Sequence, residues 1–269
     1  MNIQLQILPL LSVLFLFLVA PVVIILAVSF WDYTEFSLIP DFVLTNYIEI
    51  FESGVTYSTY LNTFKFAFLG WLFTVIIGFT LAYFLAFHVR TLRWQIILFL
   101  ICTIPFWTSN IIRMIAWIPV LGRNGLMNSL LLELGVISEP LEWLLYSDFA
   151  VILAFVHLYT LFMLVPIFNS MMRIDKSIIE AAQDMGANSL QILINVIVPL
   201  CLPGIAIGTI FVVSLIMGDF ITVQAMSGGQ SASVGLATVS YTHLRAHETR
   251  EDLVCPVVGE KKKGGGGGG

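Results

Sequence analysis

The pattern of apolar and polar residues divides this chain into long apolar runs separated by short polar connectors. Five runs approach or exceed the roughly 20 apolar residues that a helix needs to cross a hydrocarbon core of about 30 Å. They cover residues 7–30, 67–87, 95–121, 149–172 and 203–223. Because the runs are continuous and do not alternate with polar residues, they predict helices and not a β-barrel. The pattern therefore predicts an all-α fold, a polytopic transmembrane helical bundle.

Composition supports a membrane protein. Apolar residues make up 58% of the chain and charged residues 11%, whereas roughly 25% of residues are charged in a soluble domain. The first run has no basic start, is longer than the apolar part of a signal peptide and lacks a clear cleavage site. We therefore interpret it as a membrane anchor.

Basic residues concentrate in alternate connectors and predict the orientation. Residues 31–60 hold five acidic side chains and no Lys or Arg. Arg90 and Arg93 follow the second run, and Arg173 and Lys176 follow the fourth. Since short basic connectors mark the cytoplasmic side, we expect these two connectors and the N-terminus to be cytoplasmic.

A polar segment between the fourth and fifth runs predicts a helix, a sharp turn and a second helix. Asp175 is suited to cap a helix over residues 176–185, and Gly186 is suited to the left-handed turn that ends it. Asn188 with Gln191 indicates a second, weaker helix start. Two prolines are expected to mark the entry to the fifth span, at positions 199 and 203.

The same segment offers a surface that another protein can approach. Ala181 and Ala182 predict a flat face on the first helix, with the charge of Glu180 at its edge. An amphipathic loop at the membrane interface, without any partner, fits the spacing equally well.

The order Glu180-Ala181-Ala182, three residues, Gly186, and an apolar run to Pro199 resembles the EAA loop of binding-protein-dependent ABC permeases. The resemblance implies a permease of the type I importer fold in a bacterial inner membrane. It also implies that these five residues form the docking site for cytoplasmic ABC ATPase subunits, and that a second permease subunit and a periplasmic substrate-binding protein complete the importer. No phosphate-binding G-x-x-x-x-G-K-[ST] loop occurs, so ATP hydrolysis is expected on a separate subunit.

Further blocks are similar to permeases of the spermidine/putrescine type and extend the resemblance from residue 7 to about 239. They occupy residues 44–47, 105–110, 113, 117, 122–128 and 218–222. Val223 stands where that branch often has Pro. Permeases for ferric iron, thiamine or sulfate have similar loops and remain alternatives. The resemblance implies a sixth span, which we expect to be missing here.

Asp219 and Arg113 are the ionisable residues that are most costly at membrane depth. Asp219 lies sixteen residues past Pro203, roughly 24 Å along a helix and therefore toward the outer leaflet. We predict a substrate path in which Asp219 meets a cationic substrate, Trp107 offers a cation–π face, and Asn110 and Arg113 contribute polar groups. The alternatives are an Arg113–Asp219 ion pair that orders two helices, or an aspartate at the headgroup boundary.

Other polar residues suggest no chemistry. His157 is expected to form a hydrogen bond with a neighbouring helix, and Gly204 with Gly208 predicts close helix packing. No cluster of acid, base and nucleophile, and no metal-ligand spacing, appears, so we predict neither catalytic residues nor a metal, a cofactor or a nucleic-acid partner. An ATP-independent secondary transporter, the alternative from another class, would need inverted repeats or broken helices.

The composition changes abruptly near residue 240. Residues 241–269 hold nine of the 29 charged residues and end in three lysines and six glycines. The segment resembles translated sequencing-adapter sequence; a genuine flexible basic tail is the alternative. We therefore interpret residues 1–239 as one transmembrane permease domain and residues 240–269 as an artefactual, unstructured tail.

Overall fold

The computed structural model describes residues 3–33 and 38–238, which fall into two units that meet in sequence at Ser58 and Thr59. The tail predicted from residue 240 onward lies outside the described residues, so its interpretation stays a prediction. The helices are α1 (Ile3–Leu14), α2 (Ala20–Val28), α3 (Thr45–Glu52), α4 (Gly54–Tyr83), α5 (Leu92–Thr103), α6 (Asn110–Ile115), α7 (Ile118–Leu121), α8 (Leu126–Glu133), α9 (Asp148–Met171), α10 (Lys176–Asp184), α11 (Ser189–Ile192), α12 (Val198–Gly218) and α13 (Ile221–Ser227).

The first unit contains the N-terminal apolar helix and a short polar segment. A π-helical turn at Phe15–Val19 joins α1 to α2, and Ile7–Val28 is long and apolar enough to cross a membrane. Two short antiparallel strands follow, β1 (Asp32–Tyr33) and β2 (Leu38–Ile39).

The side chains of the 44–47 block hold α3 to the end of the N-terminal helix. The Asn46 amide donates to the carbonyl oxygens of Ser29 (3.3 Å) and Trp31 (2.9 Å). The hydroxyls of Tyr47 and Ser29 are 2.7 Å apart. The block therefore has a structural role in this unit.

Four helical stretches are long and apolar enough to cross a membrane: Ile7–Val28, Gly54–His88, Asp148–Met171 and Ser189–Gly218. A bent pair would make a fifth span. Together with the helical content, this confirms the predicted all-α transmembrane bundle, apart from the small β1–β2 pair.

The third predicted run is not one continuous helix. Leu92–Trp107, which ends in a 3₁₀ turn, meets Asn110–Glu133 at 92°. Thr108 is extended at the break, and its hydroxyl donates to the carbonyl oxygen of Pro105 (2.7 Å), so a side chain replaces part of the helical hydrogen bonding. The predicted run over residues 95–121 is therefore divided into two helical pieces, which as a bent pair can still make one span.

The fifth span starts before the prolines that were expected to mark its entry. The helix is continuous from Ser189 through a π-helical turn at Leu193–Ile197, so Pro199 and Pro203 lie inside it. A proline ring conflicts with the carbonyl four residues earlier, and a wider π turn before Pro199 is a common way to accommodate it. At the other end α12 stops at Gly218, five residues short of the predicted limit.

The core of the second unit is centred on α9, which is buried along its length and packs mainly against α12. A Cβ atom at Gly204 would lie 2.5 Å from the carbonyl oxygen of Pro166, and one at Gly208 would lie 3.2 Å from the Met163 Cα. The two glycines therefore allow backbone-to-backbone contact between α12 and α9, which confirms the packing role predicted for them.

We expect Gly204→Ala to destabilise the protein by about 1–3 kcal/mol, because the added methyl group overlaps the backbone of α9. The measurement is thermal unfolding of the detergent-solubilised protein. Gly218→Ala is the matched control, since no atom lies within 4 Å of its Cβ position. Equal stability of the two variants would contradict the packing role.

Candidate functional site

The segment from Asp175 to Pro199, here called the α10 loop, folds into the predicted helix, turn and helix. An Asp175 carboxylate oxygen accepts from the Ser177 amide (3.0 Å), and the hydrogen bonds from Ser177 lower the pKa of Asp175. Gly186 has φ +85°, and its amide donates to the carbonyl oxygen of Gln183 (2.8 Å). These local predictions are confirmed, with α10 ending one residue early.

The second helix start is stronger than the sequence suggested. The Asn188 side chain accepts from the Gln191 amide (2.8 Å), and the Gln191 side chain accepts from the Asn188 amide (2.9 Å). This reciprocal capping box satisfies two amides that would otherwise be free at a helix start. The turn at Gly186 is therefore fixed on both sides.

Only one of the two alanines of the motif is exposed. Ala182 is only 6% exposed and packs into the core of its own chain, whereas Ala181 is exposed. Successive residues of a helix point about 100° apart, so adjacent alanines cannot share one face. The predicted flat Ala181–Ala182 face was therefore wrong.

An exposed apolar face of different composition exists on α10. Ile178, Ala181 and Met185 are exposed and follow the i, i+3, i+7 spacing of one helical face, and Met185 is 83% exposed. We call these three residues the outer face of α10. Sequence reasoning missed Ile178 and Met185, although their spacing from Ala181 is the signal that would have found them.

The remaining residues of the predicted docking site are exposed. Glu180 lies in no ion pair of the described chain and lines a cavity between α10, α11 and the end of α4. Nothing lies within 4 Å of a Cβ built at Gly186. Pro199 is exposed on α12.

The second candidate site surrounds Asp219, which lies at the break between α12 and α13. One carboxylate oxygen accepts from the hydroxyls of Tyr159 and Thr222, both at 2.6 Å. The other accepts from the Thr222 amide at 2.9 Å. Three donors therefore hold the carboxylate in place. One of them is the Thr222 backbone amide at the start of α13, which the carboxylate satisfies.

Arg113 lies on α6, which packs against α9 and α13, and is 8% exposed. Its guanidinium donates to the side-chain oxygen of Asn110. Its Nε atom is buried and has no hydrogen-bond partner among the described residues. The alternative Arg113–Asp219 ion pair is not formed, because the described ion pairs are Lys65–Asp148 and Arg123–Glu142.

Three of the four predicted path residues line two different cavities, and Arg113 lines neither of them. A cavity of about 320 Å³ is lined by Asn110, Tyr159 and Asp219. Trp107 is 86% exposed and instead lines a larger cavity of about 720 Å³, together with Phe106, Phe162 and Arg173. The structure therefore brings Asn110, Arg113 and Asp219 together and separates them from Trp107.

Sequence reasoning missed Tyr159, which binds Asp219 from sixty residues away. A buried tyrosine hydroxyl needs a polar partner, so a tyrosine inside an apolar run was the available signal. His157, two residues earlier, accepts from the Trp117 ring nitrogen (3.0 Å), which confirms its predicted hydrogen bond to a neighbouring segment.

Comparison with known proteins identifies relatives over most of the chain. No family model matches. The chain is 33% identical over 235 residues to the spermidine/putrescine transport system permease protein PotB of Escherichia coli K12, covering 87% of this chain and 83% of the relative. PotB of Haemophilus influenzae is 30% identical over 226 residues, covering 83% of this chain and 77% of the relative.

A bacterial alginate ABC transporter, solved in complex with an alginate pentasaccharide-bound periplasmic protein, shares the fold. Its matching chain has a TM-score of 0.63 at 19% identity, and the match covers 82% of this chain and 77% of that one. At this identity the likeness concerns the fold alone. Taken with the two relatives at 30% identity or more over at least three quarters of their length, it leads to one conclusion: the chain belongs to the PotB family of ABC-transporter permeases.

Proposed function

We propose that this chain is the permease subunit of an ATP-driven importer that moves polyamines such as spermidine and putrescine into a bacterial cell. The observation that carries the proposal is the match to PotB proteins over 87% of the chain. A second permease, cytoplasmic ATPases and a periplasmic binding protein complete the importer. The subunit lies in the inner membrane with its N-terminus in the cytoplasm.

The outer face of α10 is the proposed docking surface for the ATPase. Its apolar side chains project from a polar loop beyond the ends of two membrane-crossing helices. Exposed apolar groups in such a place favour contact with a partner protein. Glu180 adds a charge beside this face, and the left-handed turn at Gly186 sets the direction of the chain that follows.

The Asp219 cavity is the proposed site for an ammonium group of the substrate. Protonated amines need a carboxylate or an aromatic face when they leave water. Asp219 supplies the carboxylate, and an ammonium group can replace the hydroxyl donors that now occupy one of its oxygens. Trp107 supplies an aromatic face in the larger cavity, so we place the two cavities at different stages of the path.

Arg113 is the observation that favours a second candidate. Its buried guanidinium has an unused donor at Nε, and such a group suits an oxyanion. An importer for an anion such as sulfate is therefore the alternative function. In a polyamine importer, the same positive charge would weaken retention of the cation beside Asp219 and favour its release.

We expect Asp219→Asn to reduce spermidine uptake about tenfold or more, because an amide removes the charge that attracts the ammonium group. Tyr159→Phe is the matched variant: it removes one hydrogen bond, keeps the charge and should reduce uptake less. The measurement is uptake of labelled spermidine by cells lacking other polyamine importers, normalised to assembled transporter. Basal ATP hydrolysis should stay near normal. Undiminished uptake by Asp219→Asn would contradict the proposed role, and sulfate uptake abolished by Arg113→Gln would favour the alternative.

We expect Gly186→Leu to reduce co-purification of the ATPase about tenfold, because a leucine opposes the left-handed turn and projects into the proposed contact. Gly135→Leu is the matched control, since Gly135 has φ +68° and equally open surroundings but lies outside the α10 loop. The measurement is the ATPase-to-permease ratio after affinity purification. Equal loss in both variants would show a general folding defect, and equal retention would contradict docking at this turn.

A further inference from the structure

His157 is a polar side chain near the middle of a membrane-crossing helix. The helix α9 has 24 residues, so at a rise of roughly 1.5 Å per residue His157 lies about 4 Å from its midpoint. Residues 150–168 are all described, and His157 is the one exposed residue among them. A titratable side chain at that depth is costly against lipid, so it normally faces a cavity, another polar group or another protein.

The hydrogen bond of His157 determines which ring nitrogen carries the proton. Its Nδ1 atom lies 3.0 Å from the ring nitrogen of Trp117. An indole N–H can donate but not accept, so Nδ1 is the accepting nitrogen and carries no proton. The neutral imidazole therefore has its N–H at Nε2, on the other side of the ring. No hydrogen bond from Nε2 is found within residues 3–33 and 38–238.

The Trp117 ring also fixes the orientation of the imidazole. The two ring centroids are 5.6 Å apart at an interplanar angle of 83°, which is an edge-to-face contact. A hydrogen bond and a ring contact thus hold the same pair of rings. The Nε2 donor is therefore presented in a fixed orientation on the exposed side of α9.

This donor lies away from the proposed ammonium site. Tyr159 follows His157 by two residues, and successive helical residues turn by roughly 100°, so the two side chains leave α9 about 200° apart. Tyr159 binds Asp219 and lines the cavity there. His157 lines neither that cavity nor the larger one beside Trp107. It therefore belongs to a different surface of the chain.

The surroundings of the donor are apolar. Leu153 lies one turn before the imidazole on the same face of α9 and is partly buried. Ile115, Ala116 and Pro119 flank Trp117 in sequence and are exposed. A single N–H donor in such surroundings suits a helix that is apolar except for one hydrogen-bond acceptor.

We propose that His157 and Trp117 form the surface on which the second permease subunit packs, and that a membrane-crossing helix of that subunit presents a hydrogen-bond acceptor to Nε2. The acceptor is a hydroxyl, amide or carboxylate oxygen at the same depth. The inference rests on the proposed function, which requires a second permease, and it adds the face of this chain that meets the second permease.

Neither lipid nor water fits this surface as well as a protein helix. Lipid hydrocarbon has no acceptor, so an N–H group exposed to it stays unsatisfied. Water would satisfy the donor but needs several polar partners to remain at this depth, and the neighbouring side chains are apolar. A helix supplies an acceptor and an apolar surface together, and hydrogen bonds of this kind join helices within membranes.

The first test is photo-crosslinking in the whole importer, expressed with its own partner subunits and kept in native membranes. His157 is replaced by p-benzoylphenylalanine, and the adducts formed on irradiation are identified by mass spectrometry. We expect the main adduct to be the second permease subunit, whether that is a different chain or another copy of this one.

The matched control places the same photo-reactive residue at Ile210. This residue is 67% exposed near the middle of α12 and offers no polar group, so it should give mostly lipid adducts. Lipid adducts alone at position 157, or equal crosslinking to the second permease at both positions, would overturn the proposal.

The second test addresses the hydrogen bond itself. His157→Phe keeps an aromatic ring but removes the donor, and we expect it to lower the ratio of second permease to this chain after affinity purification about tenfold. His157→Gln, whose amide nitrogen can replace Nε2, should restore most of the ratio. Trp117→Phe leaves Nδ1 free to carry the proton and should give an intermediate loss.

The outcomes separate this inference from the proposed function. Absence of any second permease from the purified wild-type transporter would contradict the proposed importer, and this inference with it. A second permease that co-purifies equally with wild type and with His157→Phe would leave the importer intact and overturn the His157 contact. Equal loss in His157→Phe and His157→Gln would overturn the hydrogen bond.

Discussion

The backbone contact between α9 and α12 is the interaction on which both candidate sites depend. Gly204 and Gly208 let the two helices approach so closely that a Cβ atom at Gly204 would lie 2.5 Å from the carbonyl oxygen of Pro166 in α9. The α10 loop joins these same helices at one end, and the Tyr159–Asp219 hydrogen bond links the middle of α9 to the residue that follows the far end of α12. Because a close-packed interior transmits strain, a displacement at one end of the pair is felt at the other.

Two polar residues of the apolar segments, Thr108 and Asp219, lie where helices break. A backbone group that leaves the helical pattern inside hydrocarbon must find another partner, and several kilocalories per mole are lost otherwise. The Asp219 carboxylate meets this need by accepting a hydrogen bond from the Thr222 amide after α12 ends. The Thr108 hydroxyl meets it by donating a hydrogen bond to the carbonyl oxygen of Pro105. The Asp219 carboxylate and the Thr108 hydroxyl therefore stand at the breaks for a structural reason.

The parts of the fold that sequence could predict are those governed by local rules. The caps at Asp175 and Asn188 and the turn at Gly186 depend only on residues within one or two turns, so composition and spacing were sufficient. The 92° bend after Trp107 was not predictable, since a continuous apolar run does not show where a helix changes direction. Tyr159 was missed because its partner lies sixty residues away, and only the packing of α9 against α12 brings the two together.

The α10 loop and the packed helix pair are joined by a deformable segment. The π-helical turn at Leu193–Ile197 and the two prolines that follow it interrupt regular hydrogen bonding between α11 and α12. On the other side, α10 follows the end of α9 after only a short turn at residues 172–175. A force on the outer face of α10 would therefore act on α9 almost directly and on α12 through a bendable joint. This asymmetry would turn a displacement of the loop into a change of angle between the helices that carry Tyr159 and Asp219. In the proposed transport cycle, such a change would loosen the hold of the two helices on the Asp219 carboxylate.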